Sequence, residues 1–298
     1  MKFAVVCDSA ADLTPEELRI AQVTPVPFYV AMDGTTYRKE GVEITPSQLH
    51  QGMADHPEWY PKTSMPTITD FAEAFGAAAQ QGLDVLCICL TQTFSGSYQS
   101  ATTAKEMVES ALPGVKIHVM DSQVVTALEG VMVMEAVRLR DHDLSLDEAV
   151  EKLEAIRETG QIFFTTKDLK YLRHGGRLNA ATYIAGSMLD IKPILRFHQG
   201  DLKLDSVCRG QKKSLHRLAD QFVAFVKEHN MDLRGYIFGT GVGLDCPEYQ
   251  DFIHDLEQKM EENDLHPDKW IKVRIGATIG VHTGPYPVGL GFIKRCEL

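Results

Sequence analysis

Short apolar runs alternate with amphipathic segments through the first half of the chain. The runs FAVV (3–6), VLCICL (85–90) and KIHVM (116–120) are typical of buried strands, and apolar residues at helical spacing follow each of them. This alternation of strands and helices predicts a largely parallel sheet with helices on its faces. The first half of the chain is therefore expected to be an α/β domain.

The end of this half carries a clear helix signal. In SLDEAVEKLEAIRE (145–158), Ser145 and Glu148 stand in capping-box register, and the apolar residues fall on one helical face. We place a domain boundary just after this helix. The chain then divides into an N-terminal α/β domain, residues 1–160, and a C-terminal α/β domain, residues 161–298.

The second half combines strand and helix patterns in a different order. QIFFTTKDL (161–169), KPILRFH (192–198) and DLKLDSV (201–207) resemble strands, whereas residues 212–229 have the pattern of a long helix. The sequence HQGD (198–201) is typical of a hairpin turn, which joins antiparallel strands. A mixed sheet with helices is therefore expected in the C-terminal domain.

Composition narrows the classes of function. The 298 residues are 44% hydrophobic, which is enough for a large core and favours two domains over one. The net charge of −11 argues against nucleic acid or an anionic membrane as the main partner. The N-terminal apolar run ends at Asp8, too short for a signal peptide, and no later run approaches the roughly 20 residues of a membrane span. We expect a cytoplasmic protein without stable membrane insertion.

The metal-binding residue types follow no recognisable spacing. The six cysteines form no CxxC pair, and the eleven histidines form no HxxxH or HExxH pair. Several of the cysteines fall inside apolar strand-like runs, where cysteine usually acts as a small hydrophobic residue. We therefore expect neither a metal site nor a cofactor.

Local structure accounts for some hydroxyl side chains and leaves others without a role. Thr14, Thr45 and Thr67 each stand at a predicted helix N-cap, with Glu, Gln or Asp three residues later. Thr63 and Ser64 lie just before the helix that Thr67 caps, and they have no such local role. These two hydroxyls are candidates for binding a ligand.

The stretch QTFSGSYQSA (92–101) places further serines at a predicted strand-to-helix turn. One of Ser95 and Ser97 is expected to cap the helix, and the other is left over. Because the stretch contains neither G-x-S-x-G nor a P-loop, a serine nucleophile and a phosphate cradle are both disfavoured. Uncharged hydroxyls at a helix N-terminus suit one modest anion, such as a carboxylate.

A glycine-rich stretch, FGTGVGLD (238–245), offers another candidate site. It follows a predicted strand and precedes a helix, as a dinucleotide-binding turn does, but its glycines lack the GxGxxG spacing. A structural turn is the favoured interpretation.

Eight short motifs, in order along the chain, resemble those of the DegV family of bacterial fatty-acid-binding proteins. They are VCDSAADL (6–13), TSMPT (63–67), SGSYQSA (95–101), MDSQ (120–123), LKYLRHGGRL (169–178), KPIL (192–195), RGQKK (209–213) and HTGP (282–285). The chain is thereby similar to the acyl-carrying subunit of fatty acid kinase, over nearly its whole length. The resemblance implies two α/β domains that enclose one long-chain fatty acid.

The resemblance also implies a head-group site. Thr63 and Ser95 would bind the carboxylate of the fatty acid, with Ser64 and Ser97 nearby as supports. His282, in the HTGP motif, would lie close to the same head group.

A partner protein is implied as well. Arg177 and Arg209 would belong to the surface where a separate kinase reaches the carboxylate and forms an acyl phosphate. By this resemblance the chain is a carrier and not an enzyme, and the fatty acid is its ligand.

Two features depart from the family pattern. The chain has HTGPYP where the family favours HTGPG, so Tyr286 and Pro287 alter a loop expected near the ligand, and Ser97 replaces the commoner threonine. Two other function classes stay open: an acyl hydrolase that uses Ser95, and a nucleotide-binding oxidoreductase that uses residues 239–243.

Overall fold

A computed structural model describes residues 2–177 and 191–298 of the chain. The helices are α1 (Pro15–Ala21), α2 (Pro46–Asp55), α3 (Ile68–Ala79), α4 (Ser97–Ala111), α5 (Ala127–Asp141), α6 (Leu146–Arg157), α7 (Lys170–His174), α8 (Gln211–Glu228), α9 (Pro247–Glu262) and α10 (Ala277–Thr283). The strands are β1 (Phe3–Asp8), β2 (Val23–Val26), β3 (Tyr29–Ala31), β4 (Arg38–Lys39), β5 (Lys62–Ser64), β6 (Asp84–Cys89), β7 (Ile117–Asp121), β8 (Gln161–Thr165), β9 (Ile191–His198), β10 (Asp201–Arg209), β11 (Tyr236–Val242), β12 (Lys269–Arg274) and β13 (Val288–Lys294).

The first sheet is parallel throughout, with strand order β2-β1-β6-β7. Its central strands are apolar on both faces because helices cover both faces, as is usual in parallel sheets. Helices α3 and α4 pack on one face, where Phe71 and Phe75 meet Val85 and Cys87. Helices α5 and α6 pack on the other face. The predicted parallel sheet with flanking helices is confirmed.

The second sheet is mixed, with strand order β10-β9-β8-β13-β11-β12. Among these pairs only β11 and β12 run parallel. The hairpin predicted at HQGD joins β9 to β10, and its central residues Gln199 and Gly200 have φ values of 49° and 76°. Positive φ at both central positions is the mark of a type I′ turn, which matches the twist of the flanking strands. The predicted mixed α/β architecture is confirmed.

The two faces of the mixed sheet have different partners. One face packs against α8 and α9 through a cluster that includes Phe222, Phe238, Phe252 and Phe292. The opposite face, which we term the inner face, packs toward α5 and contributes Ile162 and the residues near it to a core that also includes the parallel sheet. Helix α5 therefore lies between the two sheets.

The turn expected across FGTGVGLD is not observed at its first two glycines. Gly239 and Gly241 lie inside β11, and their Cα partners on β13 are Gly291 and Gly289. Residues two apart in a strand share a face, so these four glycines form one bare area of the sheet. We call this area the glycine patch. The expectation of a turn is wrong for Gly239 and Gly241, which leave room beside a strand, since the strand ends only after Val242.

Capping boxes were predictable from short sequence patterns. The hydroxyls of Thr14, Thr45, Thr67 and Ser145 each accept a hydrogen bond from the backbone N–H of the third residue of the helix that follows. These four predictions are confirmed. None of the helices in the described ranges has the length and apolar character that crossing a membrane would require.

The predicted boundary after residue 160 falls between the strands of the two sheets. The strands of the parallel sheet all precede it, and those of the mixed sheet all follow it. A single apolar core nevertheless joins the two halves, because Val5, Leu86 and Met132 share it with Leu195 and Phe197. The division of the chain into two domains stays a prediction.

Candidate functional site

A cavity of about 340 Å³ lies between the first turn of α5, helix α10 and the inner face of the mixed sheet. Its size is within the range of roughly 300–1,000 Å³ that is usual for small-molecule sites. Most of its wall is apolar, with side chains that include Phe28, Phe94, Phe164, Leu172, Phe197 and Leu202. The cavity is therefore suited to an apolar body.

The glycine patch forms part of this wall. A Cβ at Gly239 would lie 3.2 Å from Cγ1 of Ile271, and one at Gly241 would lie 2.7 Å from Cδ1 of Ile275. Glycine inside a strand costs stability relative to residues with side chains, and it often marks a close approach of a ligand or another element. The two paired strands therefore lack side chains where they border the cavity and where Ile271 and Ile275 pack against them.

Polar side chains gather at one part of the wall. Of the five residues predicted for the head-group site, Thr63, Ser64, Ser95 and His282 all line the cavity, and Arg177 lines it as well. Within the predicted set Thr63 and His282 contact each other directly, because Thr63 Oγ1 lies 3.2 Å from Nε2 of the imidazole. Residues separated by 219 positions are thereby brought into one cluster.

Neighbouring elements hold Thr63 and His282 in place. Thr63 lies in β5, where it pairs with Val30 of β3. His282 lies in α10, which packs against α2 and α7 through a cluster that contains Leu49, Tyr171 and Val281. The Thr63–His282 contact therefore joins the first half of the chain to the second half.

The environment of His282 favours the neutral imidazole. Burial, and then the positive charge of Arg177, lower its pKa to about 4. Nδ1 is buried and has no hydrogen-bond partner among the described residues. Gly175 lies directly against this atom, so a Cβ at that position would collide with the ring. The packing of His282 therefore requires a glycine at position 175.

The turn after β6 uses its two serines differently. Helix α4 begins at Ser97 with Gly96 at the N-cap and no side-chain cap, whereas the Oγ atom of Ser95 accepts a hydrogen bond of 3.1 Å from the backbone N–H of Ser97. Ser95 therefore satisfies one helix N–H while it also lines the cavity. The expectation that one of the two serines is left over is wrong, since Ser95 bonds to the N–H of Ser97 and the side chain of Ser97 bonds to the distant Asp8.

Ser97 is not a wall residue of the cavity. Its side chain is fully buried, and its Oγ–H donates a hydrogen bond of 2.6 Å to Oδ2 of Asp8 at the end of β1. The hydroxyl is thus turned away from the cavity and into the parallel sheet. Ser97 supports the turn that carries Ser95 and does not itself reach the cavity.

The two arginines predicted for the partner surface lie in different surroundings. Arg177 is exposed, and its guanidinium donates hydrogen bonds to the carbonyl oxygens of Phe94, at 3.1 Å, and Gly175, at 2.7 Å. It therefore holds a positive charge beside the turn that carries Ser95. Arg209 is exposed at the end of β10, opposite Ile191, and does not line the cavity. Leu178, the last residue of the LKYLRHGGRL motif, lies outside the described residues.

The altered HTGPYP loop contacts the site through one of its two unusual residues. Pro287 lines the cavity, whereas the ring of Tyr286 lies beneath the ammonium group of Lys167, with 4.6 Å between Nζ and the ring centroid. The loop begins at Gly284, whose φ of +85° and close contact with Tyr171 exclude a side chain.

A second, larger cleft of about 1170 Å³ has a different character. Charged residues of α1 and β12 line it, and Asp8, Asp12 and Glu40 lie at its wall. None of the seven residues predicted from the sequence lines this cleft. No group of three or more His, Cys, Asp or Glu side chains in the described ranges is arranged to hold a metal ion.

Sequence reasoning missed the apolar wall of the cavity and the contact between Ser97 and Asp8. The period-two glycines in FGTGV and VGLGF were a usable signal, because two such strands can pair glycine with glycine. The partnership of Asp8 with Ser97 had no local signal, since 89 positions separate the two residues.

Known proteins resemble the chain in both sequence and structure. A sequence model described as "Uncharacterised protein, DegV family" matches residues 2–295. A DegV domain-containing protein of Deinococcus radiodurans is 32% identical over 290 residues, which cover 97% of this chain and 98% of that protein. A DegV domain-containing protein of Listeria monocytogenes is 31% identical, with 97% of each chain covered.

Two solved structures extend the comparison to the whole fold. A protein of Eubacterium ventriosum described as a stearic acid-binding protein is 36% identical, with a TM-score of 0.90 over 98% of each chain. A Thermus thermophilus structure, described as fatty acid binding of a DegV family protein, is 27% identical, with a TM-score of 0.84 over 99% of this chain and 100% of that one.

The fold and the site together define a class of α/β proteins in which a parallel sheet and a mixed sheet enclose an apolar cavity. The chain belongs to the DegV family.

Proposed function

We propose that this protein binds one long-chain fatty acid, with the acyl tail in the apolar cavity and the carboxylate at Thr63 and Ser95. One observation carries the proposal: the wall of an apolar cavity includes the hydroxyls of Thr63 and Ser95 and the imidazole of His282, which contacts Thr63. A fatty acid has the same division into a long apolar body and one anionic end. Relatives described as fatty-acid-binding or stearic acid-binding proteins support this assignment.

The hydrogen bonds at the head group leave two protons free for the ligand. If Nε2 of neutral His282 carries the ring hydrogen, it donates to Oγ1 of Thr63, and the threonine hydroxyl can then donate to the carboxylate. Ser95 accepts from the N–H of Ser97, so its own O–H is likewise available. A hydrogen bond to a charged group contributes about 1.5–3 kcal/mol, and these two bonds fix the position of the head group.

The tail supplies most of the affinity. Each buried methylene contributes about 0.8 kcal/mol, so a dozen methylenes contribute roughly 10 kcal/mol before the costs of association and ordering. Affinity therefore does not require a buried cation that clamps the carboxylate. Neutral hydroxyls hold the head group loosely enough for chemistry on the carboxylate by a partner protein.

We extend the proposal to such a partner: the protein presents the bound carboxylate to a separate kinase, which forms an acyl phosphate. The exposed guanidinium of Arg177 beside the head group supports this role, because phosphoryl transfer requires positive charge near the transferred group. We assign Arg209 to the same surface. Lipid-loaded protein mixed with a cognate kinase and ATP should yield acyl phosphate, and the protein alone should not.

Neither alternative function receives comparable support from the geometry. The hydrogen bond of His282 goes to Thr63, and Ser95 is bonded to a backbone N–H. Within residues 2–177 and 191–298, no base is hydrogen-bonded to the Ser95 hydroxyl. Gly239 and Gly241 lie within a strand and do not form a phosphate-binding turn at a helix N-terminus.

Removal of the two head-group hydroxyls tests the assignment. The double variant Thr63→Ala with Ser95→Ala should retain fatty acid at least tenfold less tightly than wild type, because two hydrogen bonds to the carboxylate are lost. Its thermal unfolding temperature without lipid should be lowered by no more than that of the control variant below, because Ser95 also accepts a hydrogen bond from a helix N–H. Fatty-acid content and affinity after delipidation are the measurements.

A matched control removes one threonine and one serine elsewhere. The double variant Thr14→Ala with Ser145→Ala deletes two helix-capping hydroxyls outside the cavity wall, so it should lose about 1 kcal/mol of stability per cap and keep wild-type affinity. Unchanged fatty-acid affinity in the Thr63/Ser95 variant would show that the carboxylate lies elsewhere.

A further inference from the structure

The turn that carries Ser95 is held from both sides by aspartates of the neighbouring strands. This head-group turn, residues 90–97 (LTQTFSGS), follows β6, and β6 lies between β1 and β7 in the parallel sheet. Strand β1 ends with Asp8, and β7 ends with Asp121. Because parallel strands end at the same edge of a sheet, the two carboxylates flank the turn at its base.

Asp8 accepts three hydrogen bonds, two of which come from the head-group turn. Its Oδ2 atom accepts from the backbone N–H of Leu90 at 3.0 Å and from Oγ–H of Ser97 at 2.6 Å. Its Oδ1 atom accepts from the N–H of Ala10 at 3.1 Å. Asp8 therefore fixes the first and the last residue of the turn relative to each other.

Asp121 holds the same turn from the opposite side. Its Oδ1 atom accepts from the backbone N–H groups of Gln92, at 3.2 Å, and Gln123, at 3.0 Å. Its Oδ2 atom accepts from Nε2 of Gln92 at 2.9 Å. The second Asp-Ser motif, MDSQ, thus makes the same kind of contact as the first, VCDSAADL, although neither contributes a wall residue of the cavity through its aspartate.

The hydrogen bonds lead from Asp8 to the proposed ligand. Ser97 is fixed by Asp8, its backbone N–H donates to Oγ of Ser95, and Ser95 then has one hydroxyl proton left for the cavity. Burial, and then the charge of Asp8, raise the pKa of the neighbouring Glu129 well above its ordinary value. Burial raises the pKa of Asp8 as well, while its hydrogen bonds from Ser97 and from the backbone N–H groups of Leu90 and Ala10 lower it.

We propose that Asp8 and Asp121 are positioning residues that direct the Ser95 hydroxyl at the ligand carboxylate. Neither residue contacts the ligand; both act through the backbone and side chains of the head-group turn. This inference rests on the proposed function, since it assigns these residues a role in carboxylate recognition and not in tail binding.

The test compares a fatty acid with its alcohol. Myristic acid and myristyl alcohol have the same tail, so the ratio of their affinities for delipidated protein isolates the head group. Ser95→Ala should lower this ratio roughly tenfold, because it removes one hydrogen bond to a charged group. Asp8→Asn should lower the ratio by a smaller factor, because the amide oxygen can accept from at most two of the three donors and the amide NH2 group then faces the third.

Two further variants keep the test informative if Asp8→Asn unfolds. Ser97→Ala removes only the hydroxyl that donates to Asp8, and it should lower the acid-to-alcohol ratio by a smaller factor. Asp121→Asn should also have the smaller effect, because the Gln92 amide can rotate to face the new amide. The matched control is Asp84→Asn at the opposite end of β6, where the carboxylate accepts from the N–H of Lys116 and the ratio should not change.

The outcomes distinguish a wrong role for Asp8 and Asp121 from a wrong head-group site. A wild-type protein with no preference for the acid would contradict the proposed head-group site itself. A wild-type preference that Ser95→Ala lowers but Asp8→Asn and Ser97→Ala do not would overturn the inference alone. If Asp8→Asn weakens the binding of acid and alcohol equally, the positioning role is also overturned, because Asp8 then affects only the general structure of the site. In the expected result, Asp8→Asn adds little to Ser95→Ala in the double variant.

Discussion

At the scale of single residues, the site uses neutral donors toward the cavity and keeps charge at its edge or beneath it. Thr63, Ser95 and His282 meet the cavity as uncharged groups, and the lowered pKa of His282 keeps its ring neutral at pH 7. The permanent positive charge nearby is that of Arg177, which is exposed. In the proposed function, the neutral residues hold the ligand and Arg177 faces the partner.

Replacement of Arg177 should separate these two roles. Arg177→Ala is expected to bind fatty acid with wild-type affinity, because two neutral hydroxyls still hold the carboxylate. Acyl-phosphate formation with a cognate kinase and ATP should fall at least tenfold, because charge near the transferred phosphoryl is lost. The rate is measured by acyl-phosphate trapping at matched lipid occupancy.

Arg217→Ala provides the control for this change in net charge. Arg217 is exposed on α8, which covers the face of the mixed sheet away from the cavity. That variant should transfer at the wild-type rate. If Arg177→Ala does the same, Arg177 has no part in the transfer surface and only tethers the head-group turn.

At the scale of helices and strands, local patterns predicted what local physics decides. Capping boxes and the hairpin turn were predictable because their donors and acceptors lie within a few residues. The orientation of Ser97 was not, because the serine could either cap α4 or bond to a distant carboxylate, and only the pairing of β1 with β6 decides this. The glycine run was misjudged for the same reason: its role depends on the facing glycines of β13.

A side chain added to the glycine patch should shorten the acyl tail that the cavity accepts. Gly239 lines the cavity beside Ile271 and Ala127, so a methyl group there would take up space that the tail is proposed to fill. Gly239→Ala should weaken stearic acid by about fourfold relative to lauric acid, the equivalent of one methylene that is no longer buried. Competition binding with the two acids gives the ratio.

Val242→Ile is the control for this substitution, because it adds the same methyl volume to β11 on the face that packs in the α8–α9 core. It should leave the ratio of the two acids unchanged. Equal weakening of both acids by Gly239→Ala would show that the patch serves the packing of α5 and not the tail.

At the scale of the whole molecule, two sheets share one core and enclose a cavity at their junction. The proposed head-group site lies where β5, the turn before α4, and α10 meet, and these elements come from both halves of the chain. The first half of the chain supplies the hydroxyls of Thr63 and Ser95 but not His282. The second half supplies His282 and the glycine patch but not the hydroxyl of Ser95. The cavity therefore exists only in the complete fold, which suits a protein that carries its ligand.

Native mass spectrometry of the purified, unmodified protein is the decisive test of fatty-acid binding. We expect one added mass per 33.2 kDa chain, equal to a long-chain fatty acid and released intact when the protein is denatured. A covalent acyl adduct on Ser95, a bound nucleotide, or a chain that takes up no fatty acid after incubation with one would show that the protein is not a fatty-acid carrier.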